Sequence, residues 1–191
     1  MKPDRLNALT DGVVAIVLTI MVLELKIPAE PTLRAVLAVL PLLAAYLLAF
    51  VYVAIYWNNH HHMMQSAKKV TGAVLWVNHA LLFCLTLFPL MIRWVDEAGI
   101  TPLPVAGFGI VLLAASACYL LLERALVAAE GEESNVKAAV GGGVKEWVSF
   151  AGYAAALPLA FVSAPVSVAI YVGIAIFWLI PDRRFERRLQ G

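Results

Sequence analysis

Six apolar runs, at residues 12–27, 33–57, 70–94, 104–126, 144–161 and 166–180, leave this chain little choice of solvent. A helix that crosses a bilayer needs about 20 mostly apolar residues, and the runs are of that order, the last two being the shortest. Of the 191 residues, 62% are hydrophobic and only 14% are charged, where a soluble domain carries about 25% charge. That leaves too little polar surface to cover a water-soluble globule. The runs therefore predict an all-α integral membrane protein with six transmembrane helices. The predicted spans are 6–28, 33–64, 70–95, 104–128, 144–162 and 165–181, within a single transmembrane domain covering 1–191. The short start before the first run is not a secretory signal, because the run is too long and lacks a small-residue cleavage site. It reads as a retained helix. Cys84 and Cys118 both lie inside apolar runs, which fits buried thiols better than a disulfide framework.

Charge sets the orientation. Six spans place both termini on one side. Eleven of the fourteen basic residues then fall on that side, and only Lys26, Arg34 and Arg93 fall on the other. The positive-inside rule makes the termini cytoplasmic and the protein a multi-pass component of the cell membrane. The tail at 183–188 (RRFERR) reads as a headgroup anchor or as a site for anionic lipid. The polar loop at 130–143 carries a glycine triplet and lies inside. No internal repeat is visible.

The first predicted helix carries more than hydrophobicity. Ile16, Ile20, Leu23 and Ile27 recur at steps of four, three and four, so they fall on one narrow stripe. Gly12 lies one turn earlier on that face and Thr19 sits beside it. A helix that merely faces lipid needs no such stripe. With Arg5 and Asp11 at its polar entrance, the helix is expected to pack around an axis, either a dry core or a pore. Glu24 and Lys26 close it on the outside. Glu24 fits an interfacial residue or a charged pore mouth that enriches cations.

The remaining polar residues cluster. Residues 56–64 read YWNNHHHMM. The three histidines point about 100° apart around a helix, so a regular helix cannot bring them all to one metal. His61 shares a face with Gln65, and His60 with Met64. The segment fits a polar helix end with Trp57 at the interface, or a hydrogen-bond network with the charged start of helix one. Asn78 and His79 sit in the third run, where an amide commonly bonds a neighbouring helix. Pro89 is expected to bend that helix near its outer end. No enzyme motif is present, so the chain is read as a non-enzyme without a cofactor and without a nucleic-acid partner. The usual potassium-filter sequence is also missing.

Three segments together resemble a known family. Arg5-x-x-x-Leu9-Thr10-Asp11 is similar to an Arg-x-x-x-Phe-Ser-Asp signature that opens helix one. Tyr56-Trp57-Asn58-Asn59-His60-His61 is similar to a Trp-x-Asn-His-His segment on helix two. Leu75-Trp76-Val77-Asn78, with the leucine-rich run to Pro89, resembles the third helix. The family is the prokaryotic branch of the lysosomal potassium channels, transmembrane protein 175. The resemblance implies a homotetramer in the lipid bilayer that passes K+ and other monovalent cations, with helix one of each subunit around the pore. It implies apolar rings at Ile16, Ile20 and Leu23, a hydroxyl layer at Thr19, and an inner network of Arg5, Thr10, Asp11, Trp57, His60, His61 and Asn78. This sequence departs from the signature at Leu9-Thr10, where the hydroxyl is kept and the aromatic ring is lost, and at His62 and Met63. A different class also fits the histidines: a proton- or ion-coupled transporter that uses His60, His61 or His79 as a relay. A membrane-embedded metal or haem protein is a third reading.

Overall fold

A computed structural model of the chain describes residues 3–26, 28–131, 134, 136 and 143–179. Ile27, most of the 130–143 loop and the basic tail at 183–188 lie outside the described residues. The described residues form helices and no strands: α1 (Asp4–Leu23), α2 (Leu33–Ala38), α3 (Leu40–Ser66), α4 (Gly72–Thr86), α5 (Phe88–Ala98), α6 (Pro102–Glu130), α7 (Val144–Val162) and α8 (Ala164–Leu179). Hydrocarbon offers no partner for a backbone N–H or C=O, so a chain this apolar satisfies those groups within helices.

Proline and glycine set most boundaries. The first helix ends at Leu23 rather than at 28, in keeping with Pro28, whose ring would crowd the Glu24 carbonyl in a continued helix. The predicted 33–64 span is two helices. Pro41 removes an N–H and its ring crowds the Leu37 carbonyl, so the chain breaks at Val39 and resumes as α3. The 70–95 span is likewise two helices, α4 and α5, with Pro89 behind the break at Leu87. The expected bend at Pro89 falls beside a local break in the hydrogen-bond ladder, a single turn residue at Leu87 that keeps helical backbone angles. Gly99 (φ +71°) and Gly131 (φ +84°) terminate α5 and α6 in the left-handed region that favours glycine.

Among the described residues, four segments are long and apolar enough to cross a membrane: Asp4–Leu23, Leu40–Ser66, Gly72–Ala98 and Pro102–Glu130. The fourth is 61% buried in the subunit and the first only 28%, so α6 is the central column and α1 is peripheral. The column α6 packs against α4, α5, α7 and α8, while α1 lies on α3, α4 and α5. Helices α7 and α8 form a hairpin that turns at Ser163.

Where these helices meet, aromatic rings fill the core. Tyr52 (α3), Phe88 (α5), Phe108 (α6), Tyr153 (α7) and Tyr171 (α8) pack with neighbouring centroids 5.6–6.4 Å apart. Two of the hydroxyls find carbonyls. Tyr52 donates to the Tyr171 carbonyl at 2.6 Å and Tyr171 to the Val105 carbonyl at 3.2 Å. A buried tyrosine must make such a bond or lose the hydration of its hydroxyl. Cys84 and Cys118 are free, the first buried and the second half-buried.

Gly109 is what lets Tyr171 approach α6. A Cβ there would collide with the Tyr171 hydroxyl, itself held in the core. Gly109→Ala is expected to cost about 1–3 kcal/mol by overpacking and to lower the Tm in detergent. Gly173→Ala, where a Cβ meets nothing within 4 Å, should leave the Tm unchanged or slightly raised.

Candidate pore face and the polar network behind it

Helix α1 has two distinct faces. Leu6, Thr10, Val14, Val17 and Met21 are buried against the rest of the subunit. They recur at steps of four, four, three and four, the spacing of one helical face. The other face carries the candidate pore residues. Ile16 is 59% exposed, Ile20 42% and Leu23 79%. Thr19 lies between them, also exposed, with its hydroxyl donating to the Ile16 carbonyl at 2.8 Å. That bond leaves the lone pairs of Oγ1 facing outward. Gly12 and Ala15 are exposed on the same side. Glu24, the residue that caps α1, is half-buried and within electrostatic reach of Arg93.

Behind this face lies a chain of polar contacts. Asn78, fully buried on α4, bridges two helices. His60 Nε2–H on α3 donates to Asn78 Oδ1 at 2.7 Å, and Asn78 Nδ2–H donates to Thr10 Oγ1 on α1 at 3.2 Å. Each of these three polar groups is almost wholly out of water, so each depends on the others for its hydrogen bonds. A second string runs beside it. Trp57 Nε1–H donates to Asp11 Oδ1 at 2.7 Å. The Trp57 ring stacks on His61, with centroids 5.7 Å apart and an interplanar angle of 23°. Gln65 Nε2–H donates to His61 Nε2 at 2.8 Å, which fixes the neutral His61 tautomer with its proton on Nδ1.

The structure therefore brings together Thr10, Asp11, Trp57, His60, His61 and Asn78. It leaves Arg5 outside the cluster: Arg5 is exposed in the first turn of α1 and makes no hydrogen bond or ion pair among the described residues. His79 is exposed beside Trp76, and its Nδ1–H donates to the Leu75 carbonyl of its own helix at 2.6 Å. It does not join His60 and His61. Among the described residues, no group of three or more His, Cys, Asp or Glu is placed to hold a metal ion.

Sequence reasoning put Gln65 on the His61 face without assigning it a bond, and it missed the pairing of Lys26 with Asp96. Gln65 supplies the hydrogen bond to His61, and the four-residue spacing was its signal. Lys26 and Asp96 form an ion pair at 2.5 Å that ties the exit of α1 to α5. Opposite charges at the same end of two spans were the available clue. The hydrogen bond to Asp96, and then the carboxylate's attraction, push the Lys26 ammonium above its ordinary range. The Lys26 side chain is 70% exposed, so screening keeps the pair weak.

Comparison with known proteins places this geometry. The model of the endosomal/lysosomal potassium channel TMEM175 matches residues 5–89, which hold α1, the network and all of α4. A potassium channel of Chryseobacterium sp. (strain P1-3) is 41% identical over 190 residues, covering 100% of this chain and 99% of the relative. A potassium channel of Streptomyces collinus is 25% identical over 196 residues, covering 93% and 91%. The crystal structure of a lysosomal potassium-selective channel TMEM175 homolog from Chamaesiphon minutus shares the fold. Its TM-score is 0.80 at 24% identity, over 93% of this chain and 96% of that one. The fold is thus that of this membrane-spanning homolog, and the sequence relatives are named as ion channels. The chain belongs to the TMEM175 potassium channel family.

Asn78→Leu removes the bridge and leaves Thr10 and His60 without partners. The expected loss is about 1–3 kcal/mol, read as a lowered Tm of the purified protein. Trp57→Phe spares the buried triad and should lower the Tm less.

Proposed function

We propose that the chain forms a potassium-permeable cation channel, modestly selective for K+ over Na+. It works as a homotetramer in the cell membrane. Each subunit contributes six spans as one domain, with α7 and α8 as the last two and both termini cytoplasmic. The four copies of α1 surround the ion path. The observation that carries this reading is the outward face of α1. A spanning helix that buries one face on its own subunit, yet leaves Ile16, Thr19, Ile20 and Leu23 uncovered together, has a second face with which to meet copies of itself. The relatives named as potassium channels support the choice of ion.

Four copies of Ile16, Ile20 and Leu23 make three stacked apolar rings, separated by about 6 and 4.5 Å at 1.5 Å per residue. Such a throat has nothing to replace a cation's hydration shell, so it closes by losing its water. A small rotation or outward movement of α1 readmits water. K+ gives up its hydration more readily than Na+, so a throat that strips water partly favours K+. The Thr19 hydroxyls return some of that lost coordination. Glu24 at the outer mouth raises the local cation concentration. The network around Asn78 holds the rotation of α1, and with it the rings, in register.

Ile16→Asn places four amides in the lowest ring. It is expected to raise K+ flux into proteoliposomes about tenfold, equivalent to lowering the wetting barrier by about 1.4 kcal/mol. Planar-bilayer recording should show a larger open fraction. Unchanged flux and unchanged open fraction would remove Ile16 from the gate. A histidine-coupled transporter would instead show flux that saturates and follows an imposed pH gradient.

A further inference from the structure

The end of the bundle away from the termini carries a second feature that the ion path does not use. An apolar groove of about 110 Å³ runs between α3, the α5–α6 turn and α8. Pro41, Ala44, Ala45 and Leu48 line it from α3, and Phe108 and Val172 face them. The two alanines are what make it a groove. It lies within apolar spanning helices, so water gains nothing by filling it.

Helix register carries a cation toward its open end. Arg34 is seven residues before Pro41, two helical turns, which puts it on the same helix face about 10 Å nearer the surface. The break at Val39 does not disturb this much, because Val39 itself keeps helical backbone angles (φ −92°, ψ −3°) and its carbonyl accepts the Leu43 N–H at 3.0 Å. Helix α2 buries none of its residues. Leu33, Val36 and Leu37 are all exposed on it, an apolar face turned away from its own subunit. The other two basic residues at this end are occupied: Lys26 pairs with Asp96 and Arg93 with Glu97. Arg34 is exposed and has no carboxylate partner among the described residues.

We propose that each subunit binds a phospholipid here, with one acyl chain in the groove and the headgroup phosphate on the Arg34 guanidinium. An apolar slot with a cation two turns above it matches a phospholipid in shape and charge. The planar guanidinium suits a phosphate in particular. In the orientation that the basic residues favour, the site lies in the outer leaflet. It rests on the membrane-spanning fold and not on the ion selectivity, so its test stands apart from any flux measurement.

The test uses the full chain reconstituted with a phosphatidylglycerol and released from detergent for native mass spectrometry, counting lipid retained per subunit. Arg34→Gln, an exposed substitution with no effect on the core, should weaken retention about fivefold, and Arg34→Lys should restore part of it. Ala45→Phe fills the slot and should abolish the retained lipid while Arg34 remains. Equal lipid retention in wild type, Arg34→Gln and Ala45→Phe would overturn the site. So would an Ala45→Phe protein that changes its oligomeric mass and keeps its lipid, since that result assigns the groove to a second copy of the chain.

Discussion

A single buried amide fixes which way α1 faces. Asn78 accepts from His60 and donates to Thr10, so it ties α1 and α3 together across α4. Between hydrophobic side chains alone, a spanning helix could roll at little cost, because lipid tails are as apolar as leucine. A hydrogen bond between polar groups out of water does not tolerate such a roll. With Thr10 turned inward, Ile16, Thr19, Ile20 and Leu23 lie on average roughly 130° around the helix from it. The outward stripe is therefore a geometric consequence of the inward bond. The Asp11–Trp57 contact, one residue further along, locks the same angle from the edge of the helix.

Much of this was legible in the sequence, and the reasons are specific. Apolar runs of span length are a strong signal because hydrocarbon admits only closed hydrogen-bonding structures. The stripe on α1 was readable because helical periodicity links residue spacing to direction. Periodicity tells which side chains share a face and does not tell what that face meets. The histidines of residues 60–62 therefore stayed ambiguous. Spacing gave His61 a neighbour in Gln65 four residues on, while the partner of His60 lies on another helix. Arg5 belongs to the family signature that the sequence resembles, yet it stands apart from the buried cluster.

The helix breaks show a different limit. Residues 33–64 and 70–95 read as continuous spans by hydropathy, which averages over a window and is blind to a missing N–H. Pro41 and Pro89 interrupt the ladder locally while the chain goes on in nearly the same direction. The consequence reaches beyond bookkeeping. The break before Pro41 sets α2 at the surface with its leucines exposed, and the break before Pro89 brings Phe88 into the aromatic core beside Tyr52 and Phe108. The Lys26–Asp96 pair then closes the same end. The far end of the bundle is thus shaped by prolines and charges, and the near end by amide and imidazole.

The central claim is that the uncovered face of α1 lines the ion path and the opposite face does not. Cysteine accessibility tests it most directly. In a chain with Cys84 and Cys118 replaced by alanine, Ile16→Cys and Val14→Cys lie two residues apart, about 200° around the helix, and point to opposite sides. A charged methanethiosulfonate reagent applied during K+ current should block the Ile16→Cys channel and leave the Val14→Cys channel unaffected. Block at Val14→Cys with none at Ile16→Cys, or no difference between the two in channels that conduct, would contradict the account.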